Sequence, residues 1–139
     1  MLFRSPDFGP KSLTPAGGVS IGARDFLIAW NVYLDTSDPA PAKTIARGIR
    51  ESSGGFPGVQ AIGLPVKGLA QVSMNLLDYR RSSMKDVFLA IREKAAALGC
   101  RPLFSELIGM LPRNALDGTS PEELLIRDFD KTRILEEHF

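Results

Sequence analysis

An α+β domain is what this sequence predicts: strands and helices in the order βαββαβ, with two helices on one face of a four-stranded antiparallel or mixed sheet. Three observations carry that reading. LAQVSMNLLDY, Leu69 to Tyr79, alternates apolar and polar residues with period 2, the pattern of a strand with one buried face. FLIAWNVYL, Phe26 to Leu34, is apolar at both parities except at Asn31 and Tyr33, as expected of a strand in the middle of a sheet. Each of these strands is followed by an apolar stripe at helical spacing, and a short hairpin signal lies between the two units.

The elements follow in order. Residues 1–22 are rich in Gly, Pro and Ser and read as an extended, turn-rich opening segment. The main domain spans 23–112. After the first strand, Asp38 is a capping residue and Pro39 suits the first helical turn. Ala42, Ile45, Ala46 and Ile49 form the buried stripe, and Ser52-Ser53-Gly54-Gly55 stops the helix. Val59 to Val66 is a second strand. Gly63 interrupts it, and Pro65 argues for an edge position or a strand end. Lys67-Gly68 turns tightly into the third strand. Ser82 or Ser83 caps the second helix, with Asp86 completing a capping box if Ser83 is the cap. Its stripe is Met84, Val87, Phe88, Ile91, Ala95 and Leu98, and Gly99 ends it. A fourth strand covers Leu103 to Leu111. Residues 113–139 read as a helical tail, with Ser120-Pro121 and Asp130 as helix starts.

One hairpin and two crossover helices in this order make the ferredoxin-like split βαβ pattern. The first and third strands are expected as its central, parallel pair. The apolar row Ala70, Val72, Met74 and Leu76 then faces the helices. Gln71, Ser73 and Asn75 face the open side, and Asn31 joins them there. That polar row contains no Lys or Glu, the usual residues of a wet strand face. Amides and hydroxyls without charge suit a flat, polar, mostly uncharged ligand. Leu27, Ala29 and Phe104 leave the same face partly apolar, which points to a partner surface or a ligand groove.

Composition narrows the function classes. A formal charge of +1 with scattered basic residues does not favour nucleic acid or an anionic membrane. No apolar run approaches the ~20 residues that span a bilayer. MLFRSPDFGP lacks the apolar stretch of a secretory signal. The single Cys100 leaves no internal disulfide, so a cytoplasmic location is expected. Cys100 follows a helix end and reads as a packing residue. With His138 the only histidine, a Cys/His zinc site is excluded and a Ser-His-Asp triad would need a penultimate residue. No metal is expected.

GARDFLIAWNVYL, IRESSGG, GLAQVSMNLLDY, the helix after it and SELIGMLP together resemble the C-terminal subdomain of the glutamate formimidoyltransferase family, the transferase half of formiminotransferase-cyclodeaminase. The resemblance runs from about Asp7 to Leu111, and PDFGP resembles the linker that opens this subdomain. It implies transfer of a formimino group from N-formimidoylglutamate to tetrahydrofolate, the co-substrate, in histidine breakdown. Two ferredoxin-like subdomains would pack sheet against sheet, with folate in a tunnel between them. The linker, here Phe8-Gly9-Pro10 to Pro15, would form part of the folate site. Asn31, Gln71, Ser73 and Asn75 would line the slot, and Arg24 would orient a pterin edge or a glutamate carboxylate. Glu106, on the fourth strand, would reach the open face as an orienting group rather than a base.

The family's catalytic histidine belongs to the N-terminal subdomain, and His138 does not match its sequence context. Attack of an amine on a formimino carbon needs protons moved to and from nitrogen, a task suited to an imidazole with a pKa of about 6.5. Catalysis by this chain alone is therefore an open question, and a partner carrying the N-terminal subdomain is expected. The alternatives are a stand-alone folate- or small-ligand-binding module without catalysis, or a domain that dimerises through its open sheet face. The chain also departs from the family pattern. Tyr33 stands where a second Asn is common, and Phe104 stands where Gly is common before Ser-Glu. Both add bulk near the expected ligand face. The segment after Pro15 is one residue shorter.

Overall fold

The structure, a computed structural model, describes residues 7–10, 12, 15 and 17–139. Strands β1 (Ile28–Leu34), β2 (Val59–Val66), β3 (Leu69–Leu76) and β4 (Pro102–Ile108) alternate with helices α1 (Pro39–Ile49) and α2 (Met84–Ala97) in the expected order. Three strands are shorter than the sequence suggests, losing Phe26 and Leu27 from β1, Leu77 to Tyr79 from β3, and Gly109 to Leu111 from β4. The sheet order is β2-β3-β1-β4, the ferredoxin-like arrangement. Every strand pairing in it is antiparallel. The expected parallel pairing of the first and third strands is thus wrong. The crossover through α1 makes β2 run with β1, and the hairpin then reverses the chain, so β3 has to oppose β1.

Local chemistry explains the helix bounds. The Asp38 carboxylate accepts the Ala40 N–H at 2.9 Å, satisfying one free donor at the start of α1. Ser83 caps α2: its Oγ accepts the Asp86 N–H at 3.1 Å and donates to the Asp86 carboxylate at 2.7 Å. Gly99, at φ +74, ends that helix in the left-handed region that glycine adopts without a Cβ clash. Lys67 and Gly68 both have positive φ, as a two-residue hairpin turn of the primed kind requires.

The core lies between the helices and one sheet face. Ile28, Trp30, Val32 and Leu34 of β1 and Ala70, Val72 and Leu76 of β3 have no exposed surface. Ala42, Ile45 and Ile49 of α1 and Met84, Val87 and Ile91 of α2 close over them. Each such Leu, Ile or Val side chain contributes about 1.5–3 kcal/mol of transfer free energy. On β2 the helix face reads Val59, Ala61, Gly63, shrinking toward the hairpin. A Cβ on Gly63 would sit 2.2 Å from the backbone nitrogen of Lys43. Gly63 is therefore the point at which α1 presses on the sheet, not a flaw in the strand.

The tail differs most from expectation. Residues 113–139 form no α-helix, only 3-10 turns at Arg113–Leu116, Lys131–Arg133 and Leu135–His138. The capping signals are real but start single turns. Ser120 Oγ accepts the Glu123 N–H at 3.2 Å, and Asp130 accepts the Thr132 N–H at 2.7 Å. At Leu125 the backbone turns to φ +55, which ends any helix. The chain then pairs along β4: Ser105 donates its N–H to Leu125 O at 2.7 Å and accepts from Arg127 N–H at 3.0 Å. Leu111 makes a second such bridge to Arg133 and Leu135. Leu124 and Ile126 join the core. The tail thus pairs the outer edge of β4 at Ser105 and, just beyond the strand, at Leu111, where backbone groups would otherwise be left unpaired. Among the described residues no helix is long and apolar enough to cross a membrane.

Candidate functional site

Strand register fixes what the open sheet face presents. Cross-strand partners share a face, so three rows run across the sheet. The first is Gln60, Asn75, Ala29 and Ile108; the second is Ile62, Ser73, Asn31 and Glu106; the third is Leu64, Gln71, Tyr33 and Phe104. Asn31, Ser73 and Asn75 sit together in the two central strands, half-buried. Apolar residues frame them: Ile62 is 53% exposed, Ile108 50% and Leu64 37%. The face is therefore neutral and polar at its centre, apolar at its flanks, and without a charged residue except Glu106.

Gln71 departs from its expected place as an open wall. It is only 5% exposed, because its row neighbours Tyr33 and Leu64 stand on either side of it. Its amide lies against the Tyr33 hydroxyl. The same hydroxyl donates to the Glu106 carboxylate at 3.4 Å. Burial, and then the negative charge of Glu106, push the Tyr33 phenol above its ordinary 10.0. Tyr33 is therefore a neutral donor across the physiological range. Phe104, its partner across the strands, stacks on its ring at 4.4 Å and 19°. The two residues that depart from the family pattern thus form one aromatic plate.

Beyond this plate a cleft of about 460 Å³ opens between the sheet face and the tail. Tyr33, Phe104, Glu106 and Ile108 line its sheet side. Lys67 of the hairpin and Arg127, Asp128 and Arg133 of the tail complete it. The Arg127 guanidinium lies 3.5 Å from the centre of the Phe104 ring, a cation–π contact. Arg133 donates to Gly109 O at 3.0 Å.

The remaining candidates lie elsewhere. Phe8 is 94% exposed, Gly9, Pro10 and Pro15 are exposed, and none of these four is among the cleft residues. Lys11, Leu13 and Thr14 of that linker lie outside the described residues. Arg24 is exposed and is not among the cleft residues. His138, in the last turn, has its Nε2 2.9 Å from Thr132 O. The Cys100 thiol is pushed up by burial and by Asp35, which disfavours the reactive thiolate. Its Sγ lies 3.5 Å from Ala95 O, a packing position. No group of three His, Cys, Asp or Glu side chains suited to a metal occurs among the described residues.

Sequence reasoning missed Lys67, Arg127 and Arg133. A signal for Arg127 did exist. Leu124 and Ile126 are spaced i, i+2, a strand spacing, and it places Arg127 on the face opposite theirs.

The formiminotransferase domain family matches residues 29–137, which includes the tail. Glutamate formimidoyltransferase of Thermoplasma acidophilum is 41% identical over 133 residues, covering 94% of this chain and 44% of that protein. Glutamate formimidoyltransferase of Streptococcus pyogenes serotype M1 is 38% identical over 138 residues, covering 96% of this chain and 46% of its own length. Formimidoyltransferase-cyclodeaminase of Mus musculus is 43% identical over 120 residues, covering 80% of this chain and 22% of that protein. The chain therefore spans less than half the length of the relatives it matches, and those relatives carry further sequence that this chain does not match. Matched along the whole sheet, both helices and the tail, the chain belongs to the formiminotransferase domain family.

Proposed function

We propose that this chain is the folate-binding half of a glutamate formimidoyltransferase and works with a second subdomain that supplies the catalytic histidine. The open sheet face carries this reading. Asn31, Ser73 and Asn75 are half-buried at its centre, and Ile62, Leu64 and Ile108 surround them with exposed apolar surface. Such a face is suited to a second sheet laid over it, with a polar slot left between the two. The neutral amides and hydroxyl present donors and acceptors to the edge of a pterin without the desolvation cost of a charge. Relatives more than twice as long as the matched segment have room for the covering subdomain.

In the reaction, N5 of tetrahydrofolate attacks the formimino carbon of N-formimidoylglutamate. A tetrahedral intermediate forms, the bond to the glutamate nitrogen breaks, and that nitrogen leaves as a protonated amine. The proton lost by N5 is the one a general base must carry. Glu106 is engaged by the Tyr33 hydroxyl and serves to orient the ligand. The base therefore comes from the partner. The setting is histidine breakdown in the cytoplasm.

The test is reconstitution. The chain is mixed with the separately expressed part of the Streptococcus pyogenes relative that it does not match, and transfer from N-formimidoylglutamate to tetrahydrofolate is followed. Turnover is expected from the mixture and from neither part alone. A mixture that associates but shows no transfer would sink the proposal. A second reading rests on the exposed Ile62, Leu64 and Ile108: the face pairs with a second copy of the chain. Light scattering at high micromolar concentration separates the two, since a monomer rules out self-pairing.

A further inference from the structure

We infer that Arg127 is the carboxylate anchor of the cleft, taking the dicarboxylate end of a glutamate-bearing ligand, with Arg133 and Lys67 as outer cations. The inference rests on the transferase reading, in which both substrates carry glutamate: folate in its tail, and N-formimidoylglutamate in its body.

Four observations support it. First, Arg127 is held on both sides. Its N–H donates to Ser105 O at 3.0 Å, and the nearby Leu125 O accepts from Ser105 N–H at 2.7 Å. Leu125 and Asp128, flanking it, have φ of +55 and +54, a conformation that costs free energy in residues other than glycine. The loop is thus bent at a cost in a way that carries Arg127 over β4. Second, the guanidinium lies 3.5 Å above Phe104, which itself stacks on Tyr33. This contact seats the guanidinium on the aromatic plate, inside the cleft. Third, among the described residues Arg127 makes no side-chain hydrogen bond and no ion pair. A planar fork, oriented and unspent, is the geometry that binds a carboxylate with two parallel hydrogen bonds. Fourth, three cations against two acids, Glu106 and Asp128, leave the cleft net positive. The Glu106 charge sits on the sheet side, already engaged by the Tyr33 hydroxyl. The aromatic plate between them gives a flat ligand a surface to lie on while its acidic end reaches the tail.

The experiment titrates the full chain and its R127Q variant with three probes. They are 5-formyltetrahydrofolate, its glutamate-free pteroate counterpart, and N-formyl-L-glutamate, a stable stand-in for the formimino substrate. The Arg127 Nε–H resonance is read by NMR alongside each affinity. Losing the fork is expected to weaken a glutamate-bearing probe by about tenfold or more and to leave the pteroate unchanged. Weakening of 5-formyltetrahydrofolate alone assigns the anchor to the folate tail. Weakening of N-formyl-L-glutamate alone assigns it to the amino-acid substrate. If R127Q binds both glutamate probes as the wild type does, the inference is overturned. Should the wild type bind no folate, the folate reading fails while the anchor is still tested by N-formyl-L-glutamate. No movement of the Arg127 Nε–H signal with that probe overturns it.

Discussion

Tyr33 shows how a single residue can be read rightly for its place and wrongly for its effect. The alternation of β1 puts it on the open face with Asn31, and the register bears this out. In sequence it looks like added bulk against a ligand. In the structure it stacks on Phe104, covers Gln71 and donates a hydrogen bond to Glu106. Cross-strand stacking was not legible because it depends on a 71-residue separation in sequence that only the register of β1 against β4 fixes. Its chemistry makes a pH prediction. The folded state holds the Tyr33 proton more tightly than the unfolded chain, since burial and Glu106 raise its pKa above 10.0. The stability tied to that proton is fully present below about pH 10 and is lost as pH rises through the raised folded value. Tyr33→Phe cannot titrate. The urea midpoint of the wild type should therefore fall relative to Tyr33→Phe above pH 10, and the two curves should run parallel below it. Parallel curves throughout would show that the phenol is not held neutral by its surroundings.

Among the elements, α1 and β2 are the pair whose fit depends on the absence of a side chain. The stripe of Ala42, Ile45, Ala46 and Ile49 was legible from helical spacing alone, and all four are buried. The depth to which the helix settles was not legible. It depends on Gly63, which the sequence presents as a weak point in a strand. The backbone of Ala42 and Lys43 lies within 2.5 Å of where a Cβ on Gly63 would stand. No flexible side chain is there to yield. Gly63→Ala should thus cost about 1–3 kcal/mol as an overpacking change, seen as a lower denaturant midpoint at unchanged slope. The same substitution at Gly68, where nothing lies within 4 Å, serves to separate backbone strain at φ +80 from crowding. Equal midpoints for wild type and Gly63→Ala would mean that α1 does not sit where it is described.

For the molecule as a whole, the order of elements and the helix-facing core were legible because they rest on periodicity. Two features were not. Strand direction follows from a crossover followed by a hairpin, a rule of topology rather than of any residue, and the central pair is antiparallel where a parallel one was expected. The tail hid its role because Ser120 and Asp130 are true caps of turns too short to become helices. Ser105 was the clue to it. This fully buried hydroxyl on β4 donates to Leu124 O at 2.7 Å, and a buried hydroxyl must find such a partner. The tail then brings cations to a sheet face that is otherwise almost uncharged, so one surface gains a neutral slot and a positive end. The proposed function puts a pterin over Asn31, Ser73 and Asn75, and the proposed anchor puts its glutamate toward Arg127, in keeping with this polarity. The most direct test maps 5-formyltetrahydrofolate on the isotope-labelled chain in the presence of the unmatched part of the Streptococcus pyogenes relative, the proposed partner. Ligand-dependent shifts are predicted at the side-chain amides of Asn31 and Asn75 and the backbone of Ser73. Shifts confined to the far side of the sheet, around Lys85, Leu89 and Arg92 of α2, with none at these three residues, would contradict the account.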